Sequence, residues 1–422
     1  MEATIERTVE IATRDGDAVH GDLAVPDASS GLVVFAHGSG SSRFSPRNRE
    51  VAEQLRARSL GTLLMDLLTP DEDEIDRVTR QHRFDIPVLA GRLVAALAHL
   101  ATDDSVPHAR FGLWADGAVA RIEVVATARF PDFAAAVRHY LADVAEREHP
   151  VAAAVCAAGP VADGEVALTN CPWRLSGADI AAAAGTDAVV LVNDFEALAW
   201  ALPVLGPADL RPLGGPPPAP RRGRPALAVL GPGTGLGVGG LVPDRAGGYA
   251  AVAGEGGHVT VPVQDEREAA LVADLRARHG HVSAERVLSG PGIVEVYQAL
   301  ARLDGAAAVT ATDPAAVSAR AASGDRLASE ALGLFAGWLG TVAGDLALTL
   351  GARGGVFVAG GIVPRLGAAF DAARFRARFE AKGRFAAYLR PVPTALVVAP
   401  YPAFLGLAAL VGSPAARIAP AR

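Results

Sequence analysis

Residues 227–242 contain the feature that most limits how this chain can fold. They read Leu-Ala-Val-Leu-Gly-Pro-Gly-Thr-Gly-Leu-Gly-Val-Gly-Gly-Leu-Val, so two apolar runs flank a loop with glycines at positions 231, 233, 235 and 237. Glycine has no Cβ and tolerates positive φ, which lets a ligand approach the main chain and lets several N–H groups converge on one anion. The stretch therefore predicts a loop that binds phosphate through its backbone. The alternative is a glycine-rich hairpin with no ligand.

Two common kinds of phosphate loop do not fit these residues. A Walker loop needs Gly-Lys followed by Ser or Thr, whereas residues 234–236 read Thr-Gly-Leu and the one lysine of the chain is Lys382. A dinucleotide-binding loop needs a helix that begins at the loop. Residues 238–242, Val-Gly-Gly-Leu-Val, favour a second strand instead. The residues thus predict a strand–loop–strand hairpin.

Composition narrows the class of protein. The net charge is −7, and the 39 basic residues are scattered among 46 acidic ones, so nucleic acid is not an expected partner. The N-terminus lacks a basic and apolar leader, and no apolar run reaches the length of a membrane span, which predicts a cytoplasmic protein without a membrane partner. Two cysteines, Cys156 and Cys171, cannot build a disulfide framework or a four-thiolate zinc site.

The first hundred residues predict the order strand, strand, strand, helix, strand, helix. A buried strand in residues 31–40 leads into His37 and Ser39, and this part resembles the start of α/β hydrolases of the dienelactone-hydrolase type. Those enzymes carry a Gly-x-Ser-x-Gly nucleophile after the next strand. Residues 111–118 contain no nucleophile, and no such motif follows, so we expect no hydrolase activity.

From residue 109 the pattern changes. Paired strands are predicted over 110–114 and 120–127, a helix over 133–147, and a buried strand over 151–158. The apolar strand 188–195 ends in Asn193 and Asp194, and polar residues at strand ends often form α/β sites. Capping of the helix that follows explains the pair equally well.

Further candidate groups follow the hairpin. Glu255 and His258 stand three residues apart in a glycine frame, and Glu285 lies in the first turn of a predicted helix, where the dipole also favours a carboxylate. A predicted buried strand ends at Gly360 and Gly361, where paired glycines can admit a flat ring. Two longer helices are predicted, over 266–278 and 327–350.

Five of these segments together resemble bacterial ATP-dependent glucokinases in order and spacing, from about residue 109 to residue 412. They are 192–195, 231–237, 254–258, 281–292 and 355–365. The resemblance implies an α/β fold of the ribonuclease-H-like kind, in the actin and hexokinase superfamily, with two domains. The implied small domain spans 104–204 with 400–422 returning to it, and the large domain spans 205–399. Residues 1–103 would precede them as an incomplete α/β-hydrolase-like segment.

The resemblance also implies the reaction, which is phosphorylation of glucose at its 6-hydroxyl by ATP with Mg²⁺. Asp194 would be the catalytic base. The implied sugar contacts are Asn193, Glu255, His258 and Glu285. The implied nucleotide contacts are Gly231, Gly233, Thr234 and Gly235 at the phosphates and Gly360 and Gly361 at the adenosine. The family further suggests a homodimer.

One departure from the family pattern lies at the junction. The family opens with a strand and the loop Asp-x-Gly-Gly-Thr-Asn-Ala-Arg, whereas residues 103–110 read Asp-Asp-Ser-Val-Pro-His-Ala-Arg. Asp103 keeps the position that would reach Mg²⁺ through water, but the glycines, threonine and asparagine are replaced. Residues 91–100 predict a helix where the family has its first strand. We therefore expect impaired turnover, and the alternative is a non-catalytic sugar-binding homologue.

Overall fold

The structure of the chain is a computed structural model, and it describes residues 4–13, 17–26, 32–35, 42–58, 60–79, 85, 88–93, 95–96, 108–115, 117–142, 150–168, 171, 173–218, 223–306 and 313–412. The chain divides into two compact units, residues 1–153 with 163–187 and residues 154–162 with 188–422. Residues 188–204 belong to the second unit. The kinase-domain boundaries expected from the sequence stay a prediction.

The secondary structure agrees with the expected order of elements. The strands are β1 Thr4–Ala12, β2 Ala18–Pro26, β3 Leu32–Phe35, β4 Gly61–Met65, β5 His108–Ala115, β6 Ala118–Ala126, β7 Ala153–Ala157, β8 Glu165–Ala167, β9 Arg174–Ser176, β10 Val189–Asn193, β11 Leu210–Pro212, β12 Leu227–Pro232, β13 Leu236–Pro243, β14 Tyr249–Gly254, β15 Val356–Val358 and β16 Thr394–Val397. The helices are α1 Pro46–Arg56, α2 Pro70–Thr79, α3 Phe133–Ala142, α4 Gly177–Ala184, α5 Asp194–Ala201, α6 Glu266–His279, α7 Ala284–Val287, α8 Gly290–Leu303, α9 Pro314–Ala322, α10 Arg326–Leu350, α11 Ile362–Leu366, α12 Ala372–Glu380, α13 Ala386–Leu389 and α14 Pro402–Val411.

The N-terminal segment forms a four-stranded sheet in the order β1-β2-β4-β3, in which β3 and β4 run parallel. The interior strand β4 is buried at all five positions, whereas β3 is half-buried at all four. The prediction of a buried strand was therefore wrong for β3, because β3 lies at the edge of its sheet. His37 and Ser39 lie outside the described residues.

The last helical residues of this segment, 88–93 and 95–96, support the helix predicted before the junction. Arg92 is buried there and donates to the carbonyl of Leu67 at 2.6 Å and to both carboxylate oxygens of Glu72 at 2.6 and 2.8 Å. The guanidinium of Arg92, through these bonds, holds the pKa of Glu72 below its usual value. Breaking such a buried pair costs about 3–5 kcal/mol. Arg92, in the part of this helix that the structure describes, is thus bonded to α2.

The rest of the first unit begins with the expected hairpin of β5 and β6, which pair antiparallel with a register shift between Phe111 and Leu113. Phe111 stacks on Tyr140 of α3 with ring centroids 5.2 Å apart. Ser176 caps α4 by accepting from the amide of Asp179 at 3.1 Å. The hairpin is therefore confirmed, and the helix predicted over 133–147 is confirmed over its described residues, 133–142.

The second unit is built on a six-stranded sheet with the order β11-β16-β15-β12-β13-β14. β12, β15 and β16 run parallel to one another, while β12 and β13 form the predicted antiparallel hairpin. Parallel strands end at the same edge of a sheet, where α/β sites form. The hairpin loop and the glycine pair after β15 consequently lie at one edge.

Successive side chains of β12 point to opposite faces of the sheet and belong to two different hydrophobic cores. Ala228 and Leu230 lie in the core that includes α6, α8 and α10, whereas Leu227 and Val229 lie in the core that includes α5 and α14. Successive strand residues point to opposite faces, so a continuous apolar run indicates a sheet that helices cover on both sides. The strand β7, in contrast, is half-buried at four of its five positions, so the prediction of a buried strand was wrong there also.

Helix α10 is long and apolar enough to cross a membrane, but 78% of its most apolar window is buried inside the protein, which is typical of a core helix. It packs closely on α12 through its glycines. A Cβ on Gly340 would overlap the carbonyl oxygen of Phe375, whereas a Cβ on Gly337 would first meet Nε of Arg374 at 3.2 Å. Gly340 therefore faces backbone, which cannot move aside, whereas Gly337 faces a side chain.

These contacts predict opposite outcomes for two alanine substitutions on one helix. Gly340→Ala should lower stability, because overpacking against backbone costs about 1–3 kcal/mol. Gly337→Ala should be neutral or stabilising, because alanine is favoured over glycine in a helix by about 1 kcal/mol and the side chain of Arg374 can shift. Thermal unfolding of the full chain by calorimetry measures both. A midpoint for Gly340→Ala at or above that of Gly337→Ala would contradict the packing described.

Candidate active site

The end of β10 delivers Asn193 and Asp194 to the start of α5. Oδ1 of Asn193 accepts from the amide of Phe195 at 2.8 Å, and Nδ2 donates to the carbonyl of Gly159 at 3.0 Å. The capping interpretation of Asn193 is therefore confirmed, and its amide orients the turn before the helix. Its role as a sugar contact stays a prediction.

Asp194 is the first residue of α5, and its carboxylate accepts from the amide of Phe195 at 3.0 Å. Burial raises the pKa of Asp194 above its usual value, and the negative charge of Glu255 raises it further. The hydrogen bonds to backbone amides oppose this rise but do not cancel it. A carboxylate with a raised pKa has the proton affinity that a general base needs.

The position of Phe195 explains why several residues of the hairpin are glycines. A Cβ on Gly237 would overlap its ring, a Cβ on Gly231 would lie 2.8 Å from Cζ, and a Cβ on Gly239 would lie 2.9 Å from its carbonyl oxygen. These three glycines let α5 approach the hairpin. Gly231 thus has a packing role at a buried position, and its contact with phosphate stays a prediction. No pattern in the sequence indicates the positioning role of Phe195, although the residue stands beside Asp194.

The loop at 233–235 keeps some donors available. Gly233 donates to the carbonyl of Gly235 at 2.8 Å and accepts from the amide of Gly290, the first residue of α8, at 2.9 Å. Within the described ranges, the amides of Thr234 and Gly235 have no acceptor. Two N–H groups and the positive end of a fourteen-residue helix therefore lie together, which suits an anion.

The sugar-side candidates surround the same loop. Glu255 and His258 flank a short turn in which the amide of His258 donates to the carbonyl of Glu255 at 3.0 Å. Nδ1 of His258 lies 3.9 Å from Oε1 of Glu285, and these side chains are 60% and 33% exposed. Oε2 of Glu285 accepts from the amide of Leu236 at 2.8 Å. The structure thus brings these three predicted side chains to the hairpin, with their polar atoms reaching solvent.

The glycine pair after β15 is shaped by its neighbours. Gly360 has φ +82°, and a Cβ there would lie 2.5 Å from the carbonyl oxygen of Pro232. Gly361 lies against Arg365, whose Nη2 would be 3.1 Å from an added Cβ. The turn itself requires glycine at 360, so contact of the pair with adenosine stays a prediction.

The predicted metal residue cannot be placed, because Asp103 lies outside the described residues. Among the residues that the structure does describe, no group of three or more His, Cys, Asp or Glu side chains could hold a metal ion. Cys156 and Cys171 are both unbridged.

Comparison with known proteins identifies the family. Residues 100–413 match the family model described as Glucokinase. A glucokinase from Paramagnetospirillum magneticum is 46% identical over 317 residues, covering 75% of this chain and 98% of that protein. The crystal structure of a glucokinase from an Antarctic psychrotroph is 34% identical, covers 73% of this chain and 96% of its own, and has a TM-score of 0.66.

A second similarity concerns a smaller part of the chain. A dienelactone hydrolase from Anabaena variabilis is 50% identical over a match that covers 24% of this chain and 46% of that one, at a TM-score of 0.23. The match to the family model and the two glucokinases confirms the expected ribonuclease-H-like fold. The chain belongs to the glucokinase family.

Proposed function

We propose that this chain transfers the γ-phosphoryl group of ATP to the 6-hydroxyl of glucose. The observation that carries the proposal is the convergence on one hairpin. The β12–β13 loop offers two amides without an acceptor, Glu285 bonds to the start of β13, and the helix that begins with Asp194 packs on the same strands through Phe195. Phosphoryl transfer needs this combination of positioning and charge stabilisation rather than covalent catalysis.

Asp194 is proposed to accept the proton of the 6-hydroxyl as that oxygen forms its bond to the γ-phosphorus. The bond from the γ-phosphorus to the β-γ bridging oxygen then breaks, and ADP leaves. The raised pKa of Asp194 makes its carboxylate a stronger proton acceptor than an exposed aspartate. The amides of Thr234 and Gly235 would donate to phosphate oxygens.

The sugar is proposed to lie on the other side of the loop. Glu255, His258 and Glu285 offer acceptors and donors that match hydroxyl groups, and Asn193 would add its amide. Losing one such bond costs about 1–3 kcal/mol when the partner stays buried. The adenosine is proposed to lie against Gly360 and Gly361.

Magnesium is proposed to enter with the nucleotide, where it offsets the negative charge of the phosphates. Asp103 is the residue proposed to reach it through water. We also propose, from the family resemblance, a homodimer in the cytoplasm, a small domain over 104–204 with 400–422, and a large domain over 205–399.

A second candidate function is sugar binding without turnover. Two observations favour it. The first phosphate loop of the family is replaced at residues 105–108, and Arg92 holds the preceding helix against Glu72 of α2. A coupled assay with glucose and ATP on the full chain separates the two functions, because a non-catalytic homologue would bind glucose and produce no ADP.

Replacing the proposed base should remove turnover and leave binding. Asp194→Asn keeps the size of the side chain and an oxygen for the amide of Phe195, so we expect phosphorylation to fall by roughly 10² to 10⁴. Glucose affinity, measured by calorimetry, should change little. Retention of more than about a tenth of parental turnover would show that Asp194 is not the base.

The pH dependence of kcat/KM should change when the charge of Glu255 is removed. The acid limb of kcat/KM follows the pKa of the base in the free enzyme, and activity falls as pH drops through it. Glu255→Gln removes a charge that raises the pKa of Asp194, so the limb should move to lower pH. Glu285→Gln, a matched loss of charge in the same site, should leave the limb in place. Equal movement in both variants would contradict this assignment.

Repair of the first loop should raise activity. Side chains at Ser105 and Val106 stand where the family has glycines, and Pro107 has no N–H, so two or more charge-assisted contacts are lost at about 1.5–3 kcal/mol each. The combination Ser105→Gly, Val106→Gly, Pro107→Thr and His108→Asn should therefore raise turnover or ATP affinity by roughly 10² to 10⁴.

The test compares three full-length proteins in one coupled assay. They are the parent, the four-residue repair, and a repair that also converts residues 97–102 to an apolar strand while keeping Arg92. Keeping Arg92 preserves its bonds to Glu72 and Leu67, so the N-terminal segment should stay folded. A parent as active as the fully repaired protein would mean that the hairpin at 231–237 suffices alone.

A further inference from the structure

One carboxylate lies between the two halves of the proposed site. Oε2 of Glu285 accepts from the amide of Leu236 at 2.8 Å, on the first residue of β13. Oε1 lies 3.9 Å from Nδ1 of His258 on the sugar side. The same side chain therefore contacts the phosphate hairpin with one oxygen and faces the sugar candidates with the other.

The backbone around Glu285 is fixed. The amide of Ala284 donates to the carbonyl of Val259 at 2.7 Å, and the amide of Val261 donates to the carbonyl of Val282 at 3.0 Å. Ser283 caps the short helix by accepting from the amide of Arg286 at 3.2 Å. These bonds tie the short helix of Glu285 to the segment that carries His258.

The hairpin has a glycine, Gly235, where the carboxylate of Glu285 lies against it. A Cβ on Gly235 would overlap Oε2 of Glu285, and Cδ would lie 3.1 Å from it. Leu236 is 4% exposed, and a buried amide that loses its acceptor costs about 1–3 kcal/mol. The loop geometry that presents the amides of Thr234 and Gly235 thus depends on where the carboxylate of Glu285 points.

We propose that Glu285 couples the two substrate sites, so that a sugar bound to Oε1 orders the phosphate loop and a bound nucleotide strengthens sugar binding. This inference rests on the proposed function. A hydroxyl that donates to Oε1 fixes the rotamer in which Oε2 meets the amide of Leu236. Coupling of this kind is reciprocal, since each ligand changes the affinity of the other by the same factor.

Calorimetry on the full chain tests the coupling directly. The dissociation constant of glucose is measured without nucleotide and at saturating ADP with Mg²⁺, for the parent, Glu285→Ala and His258→Ala. ADP is the probe because it lacks the γ-phosphoryl group that would touch the sugar itself. We expect ADP to tighten glucose binding by roughly 5-fold or more in the parent.

The two variants separate coupling from simple loss of a sugar contact. His258→Ala should weaken glucose binding and keep the parental coupling factor, because its side chain makes no hydrogen bond to the hairpin backbone among the residues that the structure describes. Glu285→Ala should weaken glucose binding and bring the factor to about 1. Coupling that survives in Glu285→Ala would overturn the inference.

A second pair of variants tests the contact between Glu285 and the hairpin by changing the hairpin. Gly235→Ala would push Glu285 aside, whereas a Cβ on Gly177, the first residue of α4, meets nothing within 4 Å. Neither glycine needs positive φ. Without nucleotide, Gly235→Ala should weaken glucose binding by roughly 5-fold or more and the control Gly177→Ala should leave it unchanged. Unchanged glucose affinity in Gly235→Ala would overturn the inference.

Failure of the inference and failure of the proposed function give different results. If the parent binds glucose and ADP independently, with a factor of about 1, the coupling is overturned while the proposed function stands. If the parent binds neither ligand, both are overturned.

Discussion

The site depends on how closely α5 approaches the β12–β13 hairpin. That approach is permitted because Gly231, Gly237 and Gly239 have no side chains where Phe195 needs space. The benzyl group of Phe195 fills the space, and Asp194, one residue earlier, is thereby fixed beside the loop. Gly406 serves the same helix from the other side, since a Cβ there would overlap the carbonyl oxygen of Ala197. The carboxylate that we propose as catalytic base therefore lies on a rigid, well-packed element, which is what precise positioning requires.

The glycines of the hairpin therefore serve two functions that the sequence shows as one pattern. Those at 231, 237 and 239 face packed atoms, whereas Gly233 faces open space and Gly235 faces a carboxylate. Sequence reasoning identified the strand–loop–strand, the cap at Asn193 and the helix that begins near Glu285, because each is a local pattern. The sequence pattern could not separate glycines that face packed atoms from those that face open space or a carboxylate, since that distinction depends on residues far apart in the chain.

The contacts that organise the site are long-range in sequence. Leu236 and Glu285 are 49 residues apart, and neither shows a local signal for the bond between them. The burial of β3 was mispredicted for a related reason, because position within a sheet is decided by strand order and not by the composition of the strand. At the junction, in contrast, a local pattern in the sequence was enough to predict the structure. The helix predicted over 91–100 is supported at its described residues, 91–93 and 95–96, and its anchor, the contact of Arg92 with Glu72, spans only 20 residues.

Opposing effects act on the pKa of Asp194, and those that raise it are the stronger. The start of a helix and hydrogen bonds to backbone amides favour the charged carboxylate, yet burial and Glu255 together raise the pKa of Asp194. Because the folded-state pKa exceeds that of the unfolded chain, the folded state holds the proton more tightly. Folding stability is therefore lost as pH rises from the ordinary aspartate value through the raised one. The charged carboxylate of Asp194 therefore lowers the folding stability at neutral pH. The packing of Phe195 against the neighbouring glycines keeps the carboxylate in position despite this loss of stability. A residue with only a structural role would gain nothing from this arrangement, whereas a general base gains proton affinity from it.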